Sequence, residues 1–167
     1  EDNRTALLYI SNHEYNTNSI VCTQHAFPAY AYYKRHDKVL KGLKLGEALA
    51  ERRMRIIFGG GKVGLMGVVA DAAMEVGGEV IGVIPEFMMP REVAHEGLTE
   101  LIVTESMTAR KLKMHELSDA VIALPGGYGT MEELFEVLTW DQLQLISRPV
   151  GILNTNGYYD PLIEMLD

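Results

Sequence analysis

The stretch LPGGYGTMEELFEVLTW (124–140) sets Gly126, Gly127, Gly129 and Thr130 directly ahead of Glu132, Glu133 and Glu136. Glycine lets backbone N–H groups come close to a ligand. The first turn of a helix leaves N–H groups without intrahelical partners, so a helix opening near Thr130 is a natural seat for a phosphate. The Thr130 hydroxyl adds a donor. The same residues admit a plainer reading. Thr130-Met131-Glu132-Glu133 is a T-x-x-E capping box, in which Glu133 bonds back to the Thr130 backbone while Glu132 and Glu136 complement the helix dipole. From these residues alone the two readings stand level.

A second glycine turn, GGGKVG (59–64), follows the apolar run RIIF and precedes a helical pattern. It matches the dinucleotide fingerprint G-x-G-x-x-G literally, with Glu86 where a ribose would be read. Three consecutive glycines satisfy many patterns, so Gly59, Gly60 and Gly61 are either a nucleotide contact or a tight turn. Arg110, Lys111 and Lys113 fall early in another helix, where positive charge opposes the dipole by about 0.3–1 kcal/mol each. Cations in that position point to an anionic partner, a phosphate or Glu133 itself; a solvated surface explains Lys113 equally well. The histidines at 13, 25, 36, 95 and 115 show no metal-ligand spacing with each other or with Cys22, and no G-x-S-x-G elbow or P-loop occurs. The expectation is that no metal and no cofactor is held.

The elements that would position these residues alternate. Strands are expected at 5–10, 55–61 (ending in the glycine turn), 79–85, 100–105, 120–125 and 149–154, and helices at 38–52, 65–78, 106–118 (capped by Ser106) and 130–146. SIVC (19–22) is a further candidate strand, and HAFPAYAYYKRHDK (25–38) has no clear period. Continuous apolar strands between amphipathic helices indicate an α/β fold, a Rossmann-like doubly wound parallel sheet with helices on both faces. Both glycine turns then sit at the C-terminal edge of the sheet, where such folds bind ligands.

The 167 residues fit one domain, 1–167, with residues 1–37 the least defined part. Apolar residues make up 47% and charged residues 23%, an ordinary globular balance. No apolar run approaches the roughly 20 residues of a membrane helix. Residues 1–18 lack a signal-peptide pattern, and the single cysteine excludes an intrachain disulfide, so a cytoplasmic chain is expected. A net charge of −8 argues against binding a nucleic acid polymer, though not a single nucleotide.

GGGKVGLMG (59–67), MPRE (89–92), ARKLKM (109–114), LPGGYGTMEE (124–133) and NGYYDPL (156–162) together resemble the Lonely Guy (LOG) family. Its members are cytokinin riboside 5′-monophosphate phosphoribohydrolases, often mislabelled lysine decarboxylases. The resemblance covers about 38–167. It implies a Rossmann-like homodimer that hydrolyses the N-glycosidic bond of a nucleoside 5′-monophosphate to free base and ribose 5-phosphate, without pyridoxal phosphate. It also implies that Glu133 is the motif acid and Arg110 its catalytic arginine. Glu92, Lys111, the loop Gly126, Gly127, Tyr128, Gly129, Thr130, Met131 and Glu132, and Thr139 would belong to the substrate site, with Gly59–Gly61 beside them.

The chain departs from the family at SIVCTQHAFPAY (19–30), which lacks the glycine and paired serines of the usual first turn. The family's C-terminal helix is also expected to be absent. Two alternatives remain at this level: a non-catalytic carrier of a phosphorylated ligand such as molybdenum cofactor, and a general purine or pyrimidine monophosphate nucleosidase.

Overall fold

The computed structural model describes residues 5–9, 41–89 and 94–166. Six strands form one parallel sheet: β1 (Thr5–Tyr9), β2 (Arg55–Phe58), β3 (Val80–Pro85), β4 (Glu100–Thr104), β5 (Ala120–Ala123) and β6 (Val150–Ile152). Their order is β4-β3-β2-β1-β5-β6. Leu7 of β1 stands opposite Ile57 on one side and Val121 on the other. The chain steps outward from β1 to β4, then crosses back to β5, so the order reverses between β1 and β5. The crevice at their C-terminal ends is the switch point where open α/β sheets take ligands.

Helices cover both faces: α1 (described over 41–51), α2 (Leu65–Glu75), α3 (Met107–Leu117), α4 (Tyr128–Gln142) and the short α5 (Asp160–Leu166). Ile56, Phe58 and Val80 point with Leu49 of α1 and with Leu65, Met66, Val69 and Ala73 of α2 into one apolar cluster. Ile57, Ile81, Val83 and Val121 point the other way, against Met114 of α3 and Val137 of α4. That alternation across a pleated strand explains why β2 and β3 are apolar at successive positions rather than at every second one. A third cluster joins Ala123, Leu134 of α4 and Tyr159, with Leu162 of α5 packed on it.

The end of α2 agrees with the sequence expectation and the end of α4 does not. α2 stops where a glycine announces it: Gly77 has φ 80°, and Gly77 and Gly78 donate to the Met74 and Ala73 carbonyls. α4 was expected to run to 146 but ends at Gln142. There the same closing geometry is built on Gln144, with φ 58°, while Leu145 N–H donates to the Trp140 carbonyl at 2.9 Å. α1 likewise closes on Arg53, with φ 57°. A left-handed glutamine carries no sequence signature of a helix stop. A short helix over Asp160–Leu166, which was not among the expected elements, follows β6. The candidate strand SIVC and the departure at 19–30 lie outside the described residues.

Gln144 is exposed and strained, so Gln144→Gly should raise stability by about 1 kcal/mol. Urea unfolding reads this directly; an unchanged or lower midpoint would count against a left-handed cap at this position.

Candidate active site

α4 begins at Tyr128, two residues before the expected start. Its N-cap, Gly127, has extended backbone (φ −88°, ψ −153°) and makes no side-chain capping bond. The capping-box reading therefore fails. Thr130 is the third helical residue and fully buried, and Glu133 lies one turn deeper on the same inward face, only 3% exposed. The helix opens at Tyr128, so its N-terminal dipole end faces the turn at 127–130, the end of a helix that favours an anion.

Burial pushes the Glu133 carboxyl up to about 7. The Arg110 guanidinium opposes that rise, Glu132 and Glu136 add to it, and Lys111 opposes it. Arg110 comes from α3, whose N-terminus Ser106 caps as expected, its Oγ accepting from Ala109 N–H at 3.1 Å. The Arg110 side chain is 3% exposed. Its guanidinium rests on Gly59, where a Cβ would lie 1.9 Å from Nη2. Nη1 approaches only the Met107 sulfur at 3.7 Å, and Nε has no hydrogen-bond partner among the described residues. Taking an ion out of water costs several kcal/mol unless a partner compensates. Such a cation calls for an anion.

The glycine triplet thus serves the protein before any ligand. Gly59 makes room for Arg110. Gly60 takes φ 76° and accepts from His95 N–H at 2.9 Å, and Gly61 bridges Ala94. All three are buried. Gly60 needs its positive φ for the turn, and Gly59 supplies the cradle for Arg110.

Lys111 locks α3 to α4. Its Nζ donates to Glu132 at 2.6 Å and to Glu136 at 2.8 Å. Burial pulls the Lys111 ammonium down, but the bonds to Glu132 and Glu136 outweigh this and leave it raised, hence charged. A turn and more further along, the buried His115 ring packs on Trp140 at 4.7 Å. Burial, then Arg148 and Lys111, lower its imidazole to about 4, so it is neutral at physiological pH.

Sequence reasoning assigned no role to the residues that hold the 124–127 turn from behind. Tyr158 O–H donates to the Gly126 carbonyl, and Tyr159 O–H to the Leu124 carbonyl. Asn154 accepts from Tyr159 N–H at 2.8 Å and donates to Asp160 at 2.6 Å. NGYYD was visible as a motif, but nothing local announces a bond reaching back 32 residues.

The remaining expected residues divide. Glu132 and Tyr128 are exposed beside the turn, Gly126, Gly129 and Met131 are half-buried, and Lys111 is an ion-pair clamp. Thr139 stands apart: it is exposed, bonds the Phe135 carbonyl at 2.7 Å, and lies about 13 Å along the helix axis from Thr130. Glu92 lies outside the described residues. No cluster of three potential metal ligands occurs among the described residues, and no described helix is long and apolar enough to cross a membrane.

The family model described as "possible lysine decarboxylase" matches residues 66–167. The cytokinin riboside 5′-monophosphate phosphoribohydrolase LOG of Oryza sativa is 50% identical over 125 residues, 75% of this chain and 52% of its own length. The chain belongs to the LOG family. A cytokinin riboside 5′-monophosphate phosphoribohydrolase of Rhodococcoides fascians is 53% identical over 74% of this chain and 63% of its own. The LOG-family chain thus spans between about half and two thirds of the length of these relatives. Among solved structures, the molybdenum cofactor carrier protein of Chlamydomonas reinhardtii superposes with a TM-score of 0.67 at 21% identity, over 98% of this chain and 85% of its own. That likeness establishes the shared fold.

Glu133 also carries a stability signature. Its folded-state value of about 7 lies above the ordinary 4.5, so the folded form keeps a proton that the unfolded form releases. Stability from this group is full below about pH 4.5 and falls as pH rises through about 7. Glu133→Gln should remove that fall and exceed wild type by up to about 3 kcal/mol above neutrality. Parallel stability–pH curves for the two proteins would contradict it.

Proposed function

We propose that this chain hydrolyses the N-glycosidic bond of nucleoside 5′-monophosphates, cytokinin ribosides foremost, releasing the free base and ribose 5-phosphate. The observation that carries the reading is a buried acid held near neutrality on the helix that follows β5, opposed by a buried guanidinium whose Nε has no hydrogen-bond partner among the described residues. The activities in the names of the relatives agree with it.

The chemistry follows from these groups. The N–H groups at 127–130 and the Thr130 hydroxyl bind the 5′-phosphate, and that binding energy holds the sugar in place. As the C1′–N bond breaks, its electron pair leaves with the base and positive charge builds on the ribose, as in glycoside hydrolysis. The Glu133 carboxylate stabilises that charge and takes the proton of the water that adds to C1′. Arg110, whose charge cannot be lost, orients the anionic substrate and keeps Glu133 ionisable. The base departs with a proton from solvent or from protonated Glu133.

The active form in this reading is a cytoplasmic homodimer. Leu143, Leu145, Ile163 and Met165 are exposed apolar residues that support burial against a second copy. The same association would give Thr139, remote from the site in its own chain, a place near a substrate.

Chromatography of products from isopentenyladenosine 5′-monophosphate and from AMP tests the proposal. Wild type should release base and ribose 5-phosphate, with kcat at least about 100-fold lower in Glu133→Gln. No release from either nucleotide, or full activity in the variant, would overturn it. Tight retention of a phosphorylated pterin without cleavage would favour a carrier.

A further inference from the structure

Three features of the 124–128 turn bear on how an anion site is made there. The Gly126 carbonyl accepts from Tyr158 O–H, and the Leu124 carbonyl from Tyr159 O–H. The tyrosines themselves are held: their rings pack edge to face at 5.0 Å, Tyr159 is fully buried, and Asn154 fixes its backbone. Gly127, by contrast, is exposed, and a Cβ there would meet nothing within 4 Å, so the far side of the turn is open.

The Gly126 carbonyl and the Gly127 N–H belong to one planar peptide unit. No described peptide bond is cis, and in a trans unit the C=O and N–H bonds point in opposite directions. Drawing the carbonyl down to Tyr158, into the cluster with Ala123, Leu134 and Tyr159, therefore turns the Gly127 N–H away from that cluster, toward the open side. Glycines flank this unit, so no side chain resists its rotation. Released, the unit could flip and present its carbonyl, an acceptor that repels phosphate, at the mouth of the helix. We propose that Tyr158 is a positioning residue for substrate phosphate: its hydroxyl locks the Gly126–Gly127 peptide with the N–H facing the ligand.

This inference rests on the reading of 127–130 as the phosphate seat. It predicts a defect confined to the phosphate. Tyr158→Phe keeps the ring and its packing on Tyr159 while removing the donor. The variant should bind ribose 5-phosphate about tenfold more weakly and show a similar rise in KM for the nucleoside 5′-monophosphate, with kcat nearly unchanged. Slow cleavage of the corresponding nucleoside, which has no phosphate, should be unaffected. Gly127→Pro removes the N–H without touching Tyr158 and should weaken ribose 5-phosphate binding similarly. In that background Tyr158→Phe should cost nothing further, because both changes remove one interaction.

Unaltered ribose 5-phosphate affinity in Tyr158→Phe would overturn the inference. So would an equal loss of kcat/KM on nucleotide and nucleoside, or fully additive effects of the two substitutions. Wild type that neither binds ribose 5-phosphate nor cleaves the nucleotide would instead remove the functional reading and this inference together. If Tyr158→Phe does not fold, an unimpaired phosphate affinity in Gly127→Pro overturns the proposal by itself.

Discussion

The site depends on the enclosure of two ionisable side chains of opposite sign at one edge of the sheet. Arg110 and Glu133 are both almost wholly removed from water. They respond differently. A guanidinium cannot give up its proton, so its charge stays and needs compensation. A carboxyl can, and burial brings Glu133 to the point where the charged and neutral forms are close in energy, with Arg110 as the principal force opposing that rise. One fixed charge and one adjustable charge are what an acid–base site at neutral pH requires.

The surrounding structure works to keep that arrangement in place. Gly59 has no side chain because the Arg110 guanidinium occupies the space one would take. Lys111 ties the helix carrying Arg110 to Glu132 and Glu136 on the helix carrying Glu133, and the His115–Trp140 contact repeats the connection further along. Lys111 also neutralises carboxylates that would otherwise push Glu133 higher still. The strand order places the start of α4, which follows β5, beside the crevice between β1 and β5.

Much of this could be read from the residues. Apolar strands alternating with amphipathic helices gave the doubly wound sheet, Ser106 the start of α3, and Gly77 the end of α2. Arg110 stands out in the sequence because a cation early in a helix is electrostatically misplaced, and it is buried. The illegible parts share a physical cause, which is that a tertiary contact or an unusual backbone angle decided them. α4 opens on Gly127, whose extended backbone needs no capping side chain, so the T-x-x-E pattern three residues later was misleading. It closes on a left-handed Gln144 that looks like any helical residue. The glycine triplet matched a nucleotide fingerprint, yet Gly59 is shaped by a side chain some fifty positions away. Tyr158 and Tyr159 act on carbonyls more than thirty residues upstream, a relation no local pattern encodes.

The ionisation of Glu133 in the folded protein is the quantity on which the account rests. Carbon-13 NMR of carboxyl-labelled glutamate, with Glu133 assigned by its absence from the Glu133→Gln spectrum, measures it directly. A midpoint near 7 is predicted, set by burial against the pull of Arg110. A midpoint at the ordinary value of 4.5 would show a carboxylate that water or a neighbour already satisfies, and would contradict the site described here.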